Sequence, residues 1–348
     1  MSSVSLILDD RYLEHDPGED HPESADRLRV IHALVASEFA DLPRIEPRLA
    51  TEDELALVHD PNYIMTVAAT AGKPFSRLDM DTGLSARSYE IARLAAGGLL
   101  NAVDSLLTPN SEPRTLHSIF AFVRPPGHHA EPARGMGFCL FNNVAVAAAY
   151  AKEKWGLKKV LIVDWDLHHG NGTQRAFYSD PSVLFFSSHQ YPHYPGTGSF
   201  DEVGSGEGAG FTVNAPLPSG FGDADYIALY EGVLRPIALE YQPELILVSA
   251  GFDPFIKDPL GGMRVTGAGF GALAAIVLDL ARQCCSGRVV MTLEGGYNPE
   301  GLRDGTRAVL TAMRDQAVPS SGRPVSPAAD RIIEQIRSRH GKYWKSLG

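Results

Sequence analysis

The sequence predicts an α/β fold built on an open, mostly parallel sheet, and three features carry that prediction. Five short apolar runs recur along the chain, at 118–123, 160–163, 183–188, 245–249 and 289–293. Their hydrophobicity is continuous rather than alternating, which suits strands covered on both faces. Helical stretches lie between them, and every run ends in polar, ionisable residues. Strand–helix alternation favours an open α/β sheet. Such sheets bind ligands beyond the carboxyl ends of their strands.

Taken in order, the first run leads into Arg124-Pro125-Pro126-Gly127-His128-His129 and then a helix over 143–155. The second leads into Asp164, Asp166, His168 and His169. The third leads into His189 and, further on, Tyr194-Pro195-Gly196-Thr197-Gly198. The Gly-rich segment 195–210 does not run from a strand into a helix, so it reads as a loop rather than a phosphate cradle. A helix over 223–241 precedes the fourth run, which leads into Ala250-Gly251-Phe252-Asp253. A helix over 267–283 precedes the fifth, which leads into Glu294-Gly295-Gly296-Tyr297-Asn298. A Pro/Ser-rich connection at 318–328 is followed by a basic amphipathic helix near 329–345, read as docked on the surface. Five segments thus aim polar groups at one rim.

Composition narrows the function. The 348 residues are 44% hydrophobic and 21% charged, the balance of a globular protein with ample core. Net charge is −11, which disfavours phosphate backbones, so no direct nucleic-acid partner is expected. Cys139, Cys284 and Cys285 form no disulfide framework, which suits a reducing compartment. The N-terminal residues lack a signal-peptide pattern and no apolar run reaches spanning length, so a cytoplasmic location without a membrane is expected. Homo-oligomerisation stays open.

Asp166 and His168 are two apart in extended chain and share a face. Alone, that pair reads as a surface turn or helix cap. With Asp253 arriving from another strand end, two carboxylates and one imidazole leave a coordination position open, the pattern of a catalytic Zn²⁺. Such an ion polarises water and a carbonyl. His128 and His129 follow a loop stiffened by prolines and suit proton transfer near neutral pH. Their alternatives are satisfied loop histidines or further metal ligands. Tyr297, after two glycines, can bring its phenol to a developing oxyanion, or can be a rim tyrosine.

Together these segments resemble the histone deacetylase superfamily, which includes acetylpolyamine amidohydrolases and bacterial acetoin-utilisation-type proteins. The resemblance runs from His21-Pro-Glu-Ser-Ala-Asp-Arg27 to Gly295-Gly296-Tyr297-Asn298 and takes in VHDPNY, RPPGHHA, MGFCLFNN, VDWDLHHGNGTQ, PGTG, SAGFDPFIKDPLGG and LEGGYN. It implies an arginase/deacetylase-type fold with a central parallel sheet of about eight strands and helices on both faces, forming one domain over 1–348. It implies that Asp166, His168 and Asp253 bind zinc, with Fe²⁺ as the alternative. His129 would be general base and acid. His128 would be its electrostatic partner, held by Asp164, and Tyr297 would polarise the acyl carbonyl. Gly137, Phe138 and Tyr194 would line the acyl channel, and Arg27 would lie beneath, near an acetate-release channel. Structural K⁺ is implied at Asp164, Asp166, His168, Ser187 and Ser188, and again near Phe177, Asp180, Val183 and Phe211.

Three positions refine this reading. Asn171 stands where many relatives carry Asp; an amide orients His129 without stabilising its imidazolium, as in the class II branch. Tyr297 stands where a branch weak on acetyl groups carries His. Leu260 stands where polyamine-selective relatives carry Glu, and an apolar side chain cannot pair with a distant ammonium. The expected activity is removal of acetyl or acyl groups from N-acyl-lysine or related amides by metal-activated water. The alternatives are a deacetylase of acetylpolyamines or other small amides, and a non-catalytic acyl-lysine binding module. An arginase-like two-manganese site would need a second carboxylate-rich ligand set, which the sequence does not show.

Overall fold

A computed structural model describes residues 4–108, 118–315 and 325–348. The strands among them are β1 (Val4–Ile7), β2 (Ser76–Asp79), β3 (Thr82–Leu84), β4 (Ser118–Ala121), β5 (Val160–Asp164), β6 (Val183–Gln190), β7 (Thr212–Leu217), β8 (Leu245–Ala250) and β9 (Val289–Leu293). Seven of them form one sheet in the order β1-β4-β9-β8-β5-β6-β7, with helices around it, while β2 and β3 pair as a separate hairpin. The pairs β1·β4, β5·β6, β5·β8 and β6·β7 are all parallel. Among the described residues the sheet has seven strands, where about eight were expected.

All five apolar runs are strands of this sheet, and the two further strands, β1 and β7, lie at its ends. An edge position explains why β7 escapes sequence reading. Its sequence TVNAPL carries Asn and Pro, and proline is tolerated on an edge where no neighbour needs its N–H. The helix Asn143–Trp155 has the predicted bounds, with the Asn142 side chain accepting from the Ala145 N–H at its start and Gly156 at φ 68° closing it. The helix predicted over 223–241 is broken into Asp223–Leu229, a wide π turn Tyr230–Leu234, and Arg235–Tyr241. Pro236 removes one helical N–H and crowds the preceding turn, which the wider winding accommodates. The tail helix is Pro327–His340, capped by Ser326, and stops short of residue 345. The Pro/Ser-rich connection lies outside the described residues up to 324.

The chain divides into two compact units that interleave in sequence. One comprises Met1–Leu157, Gly170–Ala176 and Val290–Gly295; the other comprises Lys158–His169, Phe177–Val289 and Gly296–Gly348. The first contains β1, β4, the hairpin, most of β9 and the helices Ala25–Glu38, Ser88–Leu107 and Asn143–Trp155. The second contains β5, β6, β7 and β8 and the helices Gly267–Cys285, Pro299–Asp315 and Pro327–His340. One sequence expectation needs correcting. The 19-residue helix Gly267–Cys285 is long and apolar enough to cross a bilayer, where no such run was expected. Its apolarity is accounted for by burial, since most of its residues lie in the core of the second unit.

Candidate active site

In the second unit, strand register does the first part of the work. Asp164 on β5 pairs with Ser187 on β6 and with Ser249 on β8. Chains leaving those strands therefore emerge side by side, and Asp166, His168 and Asp253 meet. Their ligand-type atoms all lie within 4.8 Å of one another, and all three residues are buried. His168 Nδ1 stands 3.1 Å from Asp166 Oδ1 and 3.1 Å from Asp253 Oδ2. The backbone holds the carboxylates in place. The His168 N–H donates to Asp166 Oδ1 and the Leu167 N–H to Asp253 Oδ1, each at 2.8 Å. The Asp166 N–H donates to Asp164 Oδ1 at 3.1 Å. Gly251 is required beside them, because a Cβ there would sit 2.1 Å from Asp166 Oδ2.

The electrostatics of this cluster fit a cation. Burial opposes protonation of His168, but hydrogen bonds and charge from Asp166 and Asp253 outweigh it and raise the imidazole to about 9. Burial and the Asp166 charge push Asp253 up to about 7 against the pull of His168. His168 and Asp253 thus retain protons that a divalent ion would displace. Two oxygens and one nitrogen from three residues suit a catalytic divalent metal with a position left for substrate.

Tyr194, and His193 which the sequence reading did not single out, lie against the His168 ring. His193 stacks on His168, with ring centroids 5.3 Å apart and planes at 21°, and Tyr194 meets the same ring edge-on at 6.1 Å. His193 Nε2 lies 3.0 Å from the Leu260 carbonyl. Tyr297 is half-buried on the turn before the helix Pro299–Asp315. Its N–H donates to Asp258 Oδ2 at 2.7 Å. Ser187 and Ser188 are fully buried, and Ser188 Oγ reaches the Asp164 carbonyl at 3.5 Å. Phe177, Asp180 and Val183 lie on one turn entering β6, linked by Asp180 N–H to Phe177 O (3.0 Å) and Val183 N–H to Asp180 O (3.4 Å). The Phe211 carbonyl accepts from the N–H of Phe185, two residues further along β6 than Val183, at 2.9 Å.

In the first unit, His128 and His129 are both buried, with ring centroids 4.0 Å apart. His129 Nδ1 lies 2.8 Å from Asn171 Oδ1. The Asn171 amide donates through Nδ2 to Glu131 Oε1 at 3.0 Å, so its oxygen faces the imidazole. His129 therefore carries its proton on Nδ1 and leaves Nε2 basic. Glu294 Oε2 accepts from the N–H groups of Gly127 (2.6 Å) and His128 (3.2 Å), which sets the backbone that carries both histidines. Gly137, at φ 57°, packs so closely on His129 that a Cβ would lie 2.4 Å from the ring. Phe138 follows at φ 69° and packs edge-on against His21 at 4.6 Å. Arg27 is buried and donates to Glu23 Oε1 at 3.0 Å and to the Glu294 carbonyl at 2.5 Å. Glu23 also holds Arg124, Nε to Oε1 at 2.5 Å and Nη2 to Oε2 at 2.8 Å. Burial opposes ionisation of Glu23, but the two guanidinium groups hold it below the usual carboxylate range.

Sequence reasoning missed Glu23, Glu131, His193, Asp258 and Glu294 as parts of this machinery. Glu23 had a usable signal, its i,i+4 spacing from Arg27. The others act through backbone groups or across long loops, which leave no local pattern.

Comparison with known proteins agrees with this architecture. Residues 21–313 match the histone deacetylase domain family, and the chain belongs to that family. It is 41% identical to human "Polyamine deacetylase HDAC10" over 362 residues, covering 100% of this chain and 52% of that protein. It is 34% identical to a "Probable deacetylase" of Archaeoglobus fulgidus, covering 98% of this chain and 99% of that protein. The solved structure of the HDA15 HD domain superposes with a TM-score of 0.92 at 39% identity, covering 99% of this chain and 96% of that one. The chain spans about half the length of the human relative and of "Histone deacetylase 5" from Arabidopsis thaliana, 52% and 54%. The fold is of the arginase/deacetylase type.

Proposed function

We propose that this chain is a zinc-dependent amidohydrolase that removes acetyl or other acyl groups from N-acyl-lysine or related amides, its two units acting as one deacetylase domain. The observation that carries this reading is the buried Asp166–His168–Asp253 donor set in a chain of the histone deacetylase family. Zinc, or Fe²⁺ in its place, supplies a Lewis acid there that polarises the acyl carbonyl and acidifies water. Asn171 keeps His129 protonated on Nδ1, so Nε2 takes the proton of the attacking water and passes it to the departing amine. His128, its ring 4.0 Å from that of His129, steadies the charge that His129 acquires. The Tyr297 phenol donates a hydrogen bond to the acyl oxygen as negative charge develops on it. From the likeness to the histone deacetylase family we assign Gly137, Phe138 and Tyr194 to the acyl channel and Arg27 to acetate release. K⁺ would be held as a structural ion by Asp164, Asp166, His168, Ser187 and Ser188, and again near Phe177, Asp180, Val183 and Phe211. Cys139, Cys284 and Cys285, an odd set without a disulfide framework, support a reducing, cytoplasmic setting.

A second reading, acetylpolyamine deacetylation, is supported by the name of the human relative. Leu260 favours acyl-lysine, because an apolar side chain offers no counter-charge to a polyamine ammonium. Acetate release from the zinc-loaded protein, measured on acetyl-lysine peptides and on acetylspermidine, separates the two. Faster turnover of the peptides supports the leading reading, and strong preference for acetylspermidine replaces it with the second. No release from either substrate removes both.

A further inference from the structure

We propose that Asp258 is a positioning residue for Tyr297, fixing through its carboxylate the turn that carries the phenol. This rests on the deacetylase reading above and deepens it. The Asp258 side chain is buried, at 6% exposure, and receives three backbone N–H groups from two separate segments. Tyr297 and Asn298 donate to Oδ2 at 2.7 and 3.1 Å, and Leu260 donates to Oδ1 at 3.0 Å.

Capping the following helix does not explain this arrangement. The helix Pro299–Asp315 already has Asn298, whose Oδ1 accepts from the N–H groups of Glu300 (2.9 Å) and Gly301 (3.0 Å). Asp258 acts one step earlier, on the peptide of Tyr297 itself. Two glycines, Gly295 and Gly296, precede that peptide, and glycine has the widest intrinsic conformational freedom of any residue. The carboxylate removes that freedom where a phenol must stay within roughly 0.5 Å of its productive place.

The same carboxylate links the tyrosine turn to the metal-type cluster. Its second oxygen holds Leu260, whose carbonyl lies 3.0 Å from His193 Nε2, and His193 stacks on His168 at 5.3 Å. A carboxylate suits this position because both of its oxygens accept, whereas an amide would turn a donor toward one of the two segments. Asp258→Asn should therefore preserve part of the function and Asp258→Ala little of it.

The test is a double-mutant cycle with Tyr297→Phe, read together with amide exchange. In Asp258→Ala, kcat on an acetyl-lysine peptide should fall by about tenfold or more with KM within about threefold, and Asp258→Asn should fall between it and wild type. In a Tyr297→Phe background the same Ala substitution should cost less than about threefold, because the group it positions is already gone. A cost as large as in wild type, or wild-type kcat in Asp258→Ala, overturns the proposal. In the wild-type protein the amides of Tyr297 and Asn298 should exchange slowly, since a buried carboxylate holds them. Fast exchange at both overturns the proposal even if no variant folds. Wild-type kcat in Tyr297→Phe would instead sink the deacetylase reading, so the two failures are distinguishable.

Discussion

Asn171 Oδ1 stands 2.8 Å from His129 Nδ1, and Glu131 fixes the amide in that orientation by accepting from its Nδ2. An amide oxygen selects the imidazole tautomer without adding negative charge. Asn171→Asp would add that charge and favour the imidazolium. The acid limb of the kcat/KM profile should then move to higher pH, because the base must be neutral to work. Glu131 would face a like charge, so the shift should be clearest with Glu131→Gln also present. An acid limb that stays in place would show that Asn171 does not act through His129.

Metal uptake should release protons. His168, raised to about 9, and Asp253, raised to about 7, retain protons near neutrality that a divalent ion displaces. Titrating zinc into the metal-free protein near neutral pH, in buffers of different ionisation enthalpy, should show release of about one proton or more. Gly251→Ala should weaken zinc binding by about tenfold or more, since the added methyl collides with Asp166 Oδ2. Buffer-independent heats, or unchanged affinity in Gly251→Ala, would count against a metal held by these residues.

Glu23 should matter more to stability than to chemistry. It is fully buried between Arg124 and Arg27. Glu23→Gln leaves two guanidinium groups without their counter-charge and should cost about 3–5 kcal/mol of unfolding free energy. The urea midpoint should drop accordingly, while zinc content stays at the wild-type level. A midpoint equal to wild type would mean that solvent already compensates those charges.

Acid should destabilise the fold early. Burial lowers His15, His59, His189 and His340 from the usual 6.5 to about 4 each. Between those values the unfolded chain binds up to four more protons than the folded one at these positions, so stability falls as pH drops from 6.5 toward 4. In the metal-free protein Asp253, raised to about 7, opposes this with a single proton. Urea midpoints should decline from about pH 7 to about pH 5, and His59→Gln should flatten the decline. A flat midpoint across that range would show that these rings are already charged, or solvated, in the fold.

The sheet was legible because burial on both faces leaves continuous apolar runs, and each of the five runs became a strand. The metal-type triad was legible for a related reason. Strand ends in a parallel sheet collect at one level, so Asp166, His168 and Asp253 could be matched by their distance past the apolar run. The edge strands β1 and β7 were not legible, since an edge tolerates short runs, Asn and Pro. Nor was the π turn at Tyr230–Leu234, which answers to winding around Pro236 rather than to apolar periodicity.

By itself, then, the sequence determined the fold class, the family and the donors that can hold a divalent ion, because these depend on patterning and residue type along the chain. Only the tertiary structure decided that Glu131 orients Asn171, that Glu23 lies between two arginines, that His193 stacks on His168, and that Asp258 grips the peptide of Tyr297. Those partners are 40, 101, 25 and 39 residues apart for Glu131–Asn171, Glu23–Arg124, His168–His193 and Asp258–Tyr297. Hydrogen-bond and ring geometry over such separations is set by how loops close in three dimensions, and no local spacing encodes it.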